Sequence, residues 1–326
     1  MTEHSNTGHA PALLSIVVPL YNEQEVVNEF HRRVLLVMED LPYEYEIIYV
    51  NDGSTDSSSK VIRKLPPGRC AVRLLDLSRN FGKEIAMTAG FDCARGDAVV
   101  VIDADLQDPP EVIPELLIQW QEGYDVVYAK RSSREGETRL KKATAKVFYR
   151  LIQRFAGRVR IPEDTGDFRL MSRRAVDALT QLREHHRFMK GLFAWVGFPQ
   201  KAVLYRRDAR FAGDTKWNYW KLWNFSIEGF TSFTTVPLRL ATYIGFVVAL
   251  VAFVFGLYII GKALLLGDPV PGFPSLMAVI TFIGGVQLLT TGVMGEYLGR
   301  TFNEVKRRPL YFVQEEVVIE LQAEER

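Results

Sequence analysis

Residues 99–108, V-V-V-I-D-A-D-L-Q-D, run from four β-branched side chains straight into a stretch holding three carboxylates, and few folds tolerate that junction. A short run of Val and Ile without polar alternation reads as a strand covered on both faces, the kind found in parallel sheets flanked by helices. Carboxylates at its exit then need a cation. Side chains two apart on an extended chain point the same way. Asp103 and Asp105 can therefore share one hard divalent ion, Mg2+ or Mn2+, which takes oxygen ligands and usually substrate phosphates as well. The same letters also suit a plain polar turn closed by Pro109 and Pro110.

The surrounding segments repeat the pattern. Residues 15–20, 45–51, 72–76, 98–102 and 125–129 read as strands, with helices predicted over 23–39, 56–64, 83–94 and 111–122. That alternation is an α/β domain with a mainly parallel sheet. Ligands bind such sheets beyond the carboxyl ends of the strands, where Tyr21-Asn22-Glu23, Asn51-Asp52-Gly53, Ser78-Arg79-Asn80 and Asp103-Ala104-Asp105 fall. Four polar strand ends on one crevice argue for a ligand far more strongly than any one. The chain has neither G-x-G-x-x-G after its first strand nor G-x-x-x-x-G-K-[ST]. A dinucleotide loop and a P-loop are therefore unsupported, and phosphates would be held by a metal and by the basic residues of 130–160.

A length of 326 residues suggests about two domains. Residues 240–261 and 276–297 are each nearly free of charge and, at roughly 20 residues, long enough to cross a hydrocarbon core of about 30 Å. A short Pro- and Gly-rich loop separates them, so they are predicted to form a transmembrane hairpin. Arg239 precedes the first span, and Arg300, Lys306, Arg307 and Arg308 follow the second, which puts both termini in the cytoplasm. The expected layout is a cytosolic domain over 1–235, the hairpin over 236–298 and a cytosolic tail over 299–326. Helices at about 139–157 and 216–235 are expected on the membrane interface, one basic and amphipathic, the other rich in Trp and Tyr. No leader peptide is visible at the N-terminus. A net charge of +1 favours no nucleic acid partner. Cys70 and Cys93, with no C-x-x-C, read as reduced packing residues.

Five motifs then fall in order: S-I-V-V-P-L-Y-N-E at 15–23, N-D-G-S-T-D at 51–56, N-F-G-K-E at 80–84, D-A-D-L-Q-D-P-P-E at 103–111 and T-G-D-F-R-L-M at 165–171. With G-D-T-K-W-N-Y-W-K-L-W at 213–223 and G-E-Y-L-G-R at 295–300, nearly the whole chain resembles family 2 glycosyltransferases of the GT-A fold. Within them it resembles the bacterial bactoprenol-phosphate glucosyltransferases, relatives of dolichol-phosphate mannose synthase. The resemblance implies an inverting transfer of a hexose, glucose first, from UDP-glucose to undecaprenyl or another polyprenyl phosphate at the cytoplasmic face of a bacterial inner membrane. It implies that Pro19, Tyr21, Glu23 and Asp52 surround the nucleotide, with Asp52 addressing the base. Asp103 would contact the nucleotide sugar and, with Asp105, hold the metal. Gln107 would lie near the metal or the transferring sugar, and Asp167 would be the catalytic carboxylate. Arg131, Arg134, Lys141, Arg210 and Lys216 would bind the acceptor phosphate.

Chemistry qualifies the role of Asp167. A phosphate monoester has a second pKa of about 6 and is mostly ionised at neutral pH, so Asp167 can serve as an orienting group instead of a base. Other donors (a UDP-N-acetylhexosamine, UDP-aminoarabinose, GDP-mannose) stay open, as does a non-catalytic nucleotide-sugar-binding scaffold. A processive synthase is disfavoured by the missing Q-x-x-R-W. Gly284, Gly285, Gly292 and Gly295 offer small faces for a homo-oligomer.

Overall fold

The computed structural model describes residues 13–132, 162, 165–206, 236–266 and 272–319. The chain divides into two compact units, Met1–Ser226 with Pro309–Arg326, and Ile227–Arg308. The first is an α/β unit around an eight-stranded sheet of order β7-β5-β6-β4-β1-β2-β3-β8. Strands β1 (Leu13–Leu20), β2 (Glu44–Asn51), β3 (Ala71–Leu77) and β4 (Ala98–Val101) pair in parallel, with β1 central. These are the apolar runs of the sequence, and β1 and β2 are buried over seven consecutive residues each, as two covered faces require.

Three strands have no counterpart among the predicted elements. β6 (Thr165–Ser172) inserts antiparallel between β4 and β5 (Val126–Arg131), and β7 (Gln200–Tyr205) runs parallel to β5 at one edge. β8 (Val313–Ile319), from the acidic segment expected to be a tail, pairs antiparallel with β3. Beside that backbone ladder, two of its acidic residues pair with arginines. Arg63 forks onto Glu315 at 3.0 and 2.8 Å, and Arg73 reaches Glu316 at 2.6 Å. Arg73 is buried and also meets Glu46 at 3.3 Å and the Cys93 carbonyl at 2.8 Å. A charge taken out of water is tolerable only when its donors are so occupied.

Helices cover the sheet on both faces. α1 (Val27–Glu39) and α4 (Ile113–Gln121) bury Phe30, Val34, Met38, Ile113 and Leu116 in a core with Ile16, Val18, Ile47, Tyr49 and Val100. Between them in sequence come α2 (Ser58–Ile62) and α3 (Lys83–Cys93). α3 packs on β1 and β2 and approaches closely at Gly90, where an added Cβ would lie 2.2 Å from Val17 Cγ1. α5 (Arg173–Thr180) and α6 (Met189–Trp195) complete the unit. The helix predicted from residue 23 begins only at Val27, because Asn22 turns through φ 55° and ties itself to Ser54 and Thr55 instead.

The second unit contains two long helices packed together, α7 (Val236–Leu266) and α8 (Phe273–Val305). One stretch among the described residues, Leu240–Tyr258, is long and apolar enough to cross a membrane, with a mean hydropathy of 2.4. Phe246, Val247, Leu250 and Phe253 on it stand exposed, as do Ile280, Phe282, Leu288 and Leu289 of α8. The helices predicted at 139–157 and 216–235 lie outside the described residues.

His31 of α1 is buried between the Tyr49 hydroxyl, 2.9 Å from Nδ1, and the Pro66 carbonyl, 2.7 Å from Nε2. A carbonyl only accepts, so Nε2 carries the proton and the neutral ring can accept from Tyr49. Burial pushes its pKa below the ordinary value, the Pro66 bond working the other way. An imidazole whose folded pKa is depressed takes up its proton more readily when unfolded. Stability is therefore expected to fall as pH drops through about 6.5. His31→Gln, which keeps a donor and an acceptor, should flatten that part of the profile in thermal melts of the full-length protein between pH 8 and 5. An unchanged slope would contradict the neutral assignment.

Candidate active site

The carboxyl ends of β1 to β4 and the start of β6 converge on one polar edge. The hub is Asp52, which follows β2 and is buried. Its Oδ1 accepts from Phe81 N at 2.7 Å and its Oδ2 from Gly82 N at 2.9 Å, the two residues that lead into α3. Burial raises its pKa, while those two donors and Arg79 favour the charged form. Gly53 makes the approach possible. Its φ is +65°, and a Cβ there would stand 2.4 Å from the Arg79 carbonyl carbon. Asn22, Ser54, Thr55, Gln24 and Ser57 then stitch the loop after β1 to the loop after β2 by backbone-to-side-chain hydrogen bonds of 2.8–2.9 Å.

α3 therefore starts at a set place, and Lys83 is its first residue. The Lys83 ammonium sits astride the Asp103 carboxylate, 2.7 Å from each oxygen with its hydrogen bond directed to Oδ2, and 2.5 Å from Asp167 Oδ2. Oδ1 of both carboxylates is buried and receives no hydrogen bond among the described residues. Lys83 is exposed over part of its side chain, and although the loss of water around its ammonium opposes the charge, the two carboxylates outweigh that and hold it above its ordinary range. Burial pushes Asp103 up, with Lys83 pulling down and Asp167 adding to the rise. Asp167 is held below the usual carboxylate range, because Lys83 and Lys190 overcome its burial. The two acids are thus driven apart while sharing one proton-bearing partner.

Glu84, next on α3, is pushed up to about 7 by burial and then by the Asp167 charge. Its Oε2 accepts from Met189 N at 3.0 Å, which seats α6 and with it Lys190. Arg169, buried in β6, donates to the carbonyls of Asp167 and Gly166 and lies 3.6 Å over the Phe193 ring.

Of the residues predicted from sequence, Asp103 and Asp167 meet through Lys83, and Asp52 reaches them through the backbone at 81–82. Asp103 and Asp105 do not share the face of an extended strand, since β4 ends at Val101 and residues 104–108 form a turn with Leu106 at φ 59°. Asp105 Oδ1 accepts from Gln107 N at 3.1 Å, within that turn. The half-buried Gln107 follows in the same turn. Pro19 is buried in β1 opposite Val50, and Tyr21 and Glu23 lie just beyond, Glu23 N donating to Ser58 Oγ at 2.9 Å. Arg131 ends β5 opposite Tyr205, whose hydroxyl donates to Asp108. Arg134, Lys141, Arg210 and Lys216 lie outside the described residues. Lys83, Glu84 and Lys190 were given no role from sequence, whereas Arg169 was weighed as a pairing partner for Asp167. Lys83 had a signal, a lone cation opening a helix just past a polar strand end. Lys190 had none.

An α/β sheet with a carboxylate cluster at its strand ends defines the class, and the comparisons define the family. The chain belongs to glycosyl transferase family 2, which it matches over residues 15–180, and it is a glycosyltransferase. It is 53% identical to an uncharacterized glycosyltransferase of Synechocystis over 93% of this chain and 95% of that one. It is 48% identical to the prophage bactoprenol glucosyl transferase homolog of Escherichia coli K12 over 92% and 98%. Among solved structures, glucosyl-3-phosphoglycerate synthase of Mycobacterium tuberculosis, bound to Mn2+, UDP and glucosyl-3-phosphoglycerate, is 19% identical with a TM-score of 0.46, over 66% of this chain and 76% of that one.

Gly53→Ala should force the 79–80 backbone away and cost on the order of 1–3 kcal/mol of stability, from strain at positive φ and overpacking together. Thermal melting of the full-length protein would read it, and a loss below about 0.5 kcal/mol would place Gly53 outside the tight approach described.

Proposed function

We propose that this glycosyltransferase moves glucose from UDP-glucose to a polyprenyl phosphate at the cytoplasmic face of a bacterial inner membrane, with a divalent cation, Mg2+ or Mn2+, and inversion at the sugar. The observation that carries it is the Asp103–Lys83–Asp167 cluster at the carboxyl ends of the strands, together with near full-length identity to bactoprenol glucosyl transferases. The long α7 and α8, with their outward apolar side chains, support a two-span hairpin in lipid. The basic residues that flank it and are missing from its loop support cytoplasmic termini.

The donor set fits a hard cation. Asp103 Oδ1 is buried and, among the described residues, receives no hydrogen bond, with the Lys83 ammonium 2.7 Å away as a removable counter-charge; Asp103, with Asp105 from the turn that follows and not from a shared strand face, would hold the ion. When bound, that ion supplies Lewis-acid stabilisation of the departing diphosphate. Asp52 sets the start of α3 and so the place of Lys83, whose charge faces the phosphate side of the site. Tyr21, Glu23 and Pro19, at the exit of β1, line the nucleotide end. Asp167, ionised and braced by Lys83, orients the acceptor. The acceptor phosphate is already a competent nucleophile at neutral pH, so geometry is the scarcer requirement.

Purified full-length protein incubated with a panel of radiolabelled nucleotide sugars and polyprenyl phosphate should carry label into the organic phase from UDP-glucose. Excess EDTA should abolish it, and Asp103→Asn should lower turnover by orders of magnitude. Label from another donor alone would replace glucose, and full activity in EDTA would remove the metal.

Asp167→Asn separates an organiser from a base. A base would become dispensable as pH rises about two units above the phosphate's second pKa of about 6. The loss is expected to persist at every pH, and recovery to near the wild-type rate at high pH would restore the general-base role.

A further inference from the structure

Lys83 is a costly choice for a structural tie. Its side chain is 42% exposed, yet it gathers two carboxylates, Asp103 from just beyond β4 and Asp167 from β6. α3 does not need it for placement, since Asp52 already holds Phe81 and Gly82 and Gly90 seats the helix against Val17. Two acids face this ammonium, which stands 2.7 Å from both oxygens of Asp103 and 2.5 Å from Asp167 Oδ2. Asp167 also feels Lys190 and Arg169, whereas Lys83 is the cation that faces Asp103. A lysine is a compact charge on a flexible four-carbon stem, able to swing without moving its backbone.

We propose that Lys83 is the exchangeable counter-ion of this site: its ammonium neutralises Asp103 before the divalent cation arrives, yields that carboxylate to the cation, and then serves the donor diphosphate while still bracing Asp167. The inference rests on the metal-assisted reading above and adds a residue and an order of events to it. Metal and ammonium compete for Asp103 in the free enzyme, because like charges on one carboxylate repel. Once a nucleoside diphosphate is present they act together, since its oxygens give the displaced ammonium a new partner. Lys83 is thus a positioning residue whose removal helps one step and harms another, which no purely structural tie would do.

The test is Mn2+ binding to the full-length protein in detergent, read by electron paramagnetic resonance of free Mn2+, first without nucleotide and then with UDP. Lys83→Met is expected to bind Mn2+ about tenfold more tightly than wild type without nucleotide, about 1.4 kcal/mol. With UDP that advantage should vanish or reverse. Lys83→Arg, which keeps the charge, should stay within about threefold of wild type, well under 1.4 kcal/mol. If wild type binds Mn2+ and Lys83→Met binds it no more tightly, the exchange is wrong and the metal-assisted reading survives. Lys83→Arg gaining as much as Lys83→Met would also overturn it, since charge would then be irrelevant. Should Lys83→Met fail to fold by thermal melting, Lys83→Gln takes its place, and unfolding of both would mark a structural tie and sink the proposal. Absence of Mn2+ binding in every protein, with or without UDP, would sink the proposal and the metal reading together.

Discussion

Both oxygens of Asp52 are spent on the backbone donors of Phe81 and Gly82, and the polar edge of the sheet is built outward from that contact. A carboxylate buried at a strand end is expensive to leave unsatisfied, on the order of 1–3 kcal/mol for each missing partner and more for a charge. Two amide donors at the head of α3 meet that cost and set where the helix begins. Gly53 lets the two loops approach to contact distance, and Gly90 lets the helix lie flat on β1 and β2. With both ends of α3 so determined, Lys83 projects where β4 and β6 deliver Asp103 and Asp167. The role expected for Asp52, addressing a base, has to be compatible with this architectural one, because its lone pairs are partly committed.

A second layer of the same logic runs along α3. Lys83 faces the carboxylates, while Glu84 receives the amide of Met189 and so seats α6. Two adjacent residues thereby join three elements distant in sequence. Charge alternates through the group, from Asp103 to Lys83 to Asp167 to Lys190, with Arg169 buried behind under the Phe193 ring. Buried charges arranged in this way contribute little net stability compared with apolar packing. What they do is divide two similar acids, Asp103 pushed up by burial and Asp167 held down by its lysines.

The central parallel strands were legible because they are continuous apolar runs, and the polar residues at their ends were legible because parallel sheets place ligands there. Boundaries shifted where local hydrogen bonding overrode periodicity, as at Asn22, whose side chain diverts residues 23–26 from helix. β6 was read as a motif and not as a strand, because its Thr-Gly-Asp-Phe-Arg start lacks an apolar run and its burial comes from insertion between β4 and β5. β8 was hidden by its charge. Glu315 and Glu316 look like a solvated acidic tail until Arg63 and Arg73, more than 240 residues earlier, are seen to receive them. Asp167 was placed by motif alone, and Lys83, although inside a recognised motif, had no role until the tertiary fold set Asp103 and Asp167 on either side of it.

A general base needs a lone pair free to take a proton and a pKa not far below working pH. Asp167 has one oxygen committed to Lys83 and is held below the usual carboxylate range by Lys83 and Lys190. Such a group is a poor proton acceptor and a good fixed negative charge. In the function proposed, that fixed charge would brace the Lys83 ammonium, which would help to hold a phosphate monoester dianion in line with the sugar carbon it attacks. The acidity of the phosphate and the lysine-flanked setting of Asp167 both favour the proposed organiser over a base.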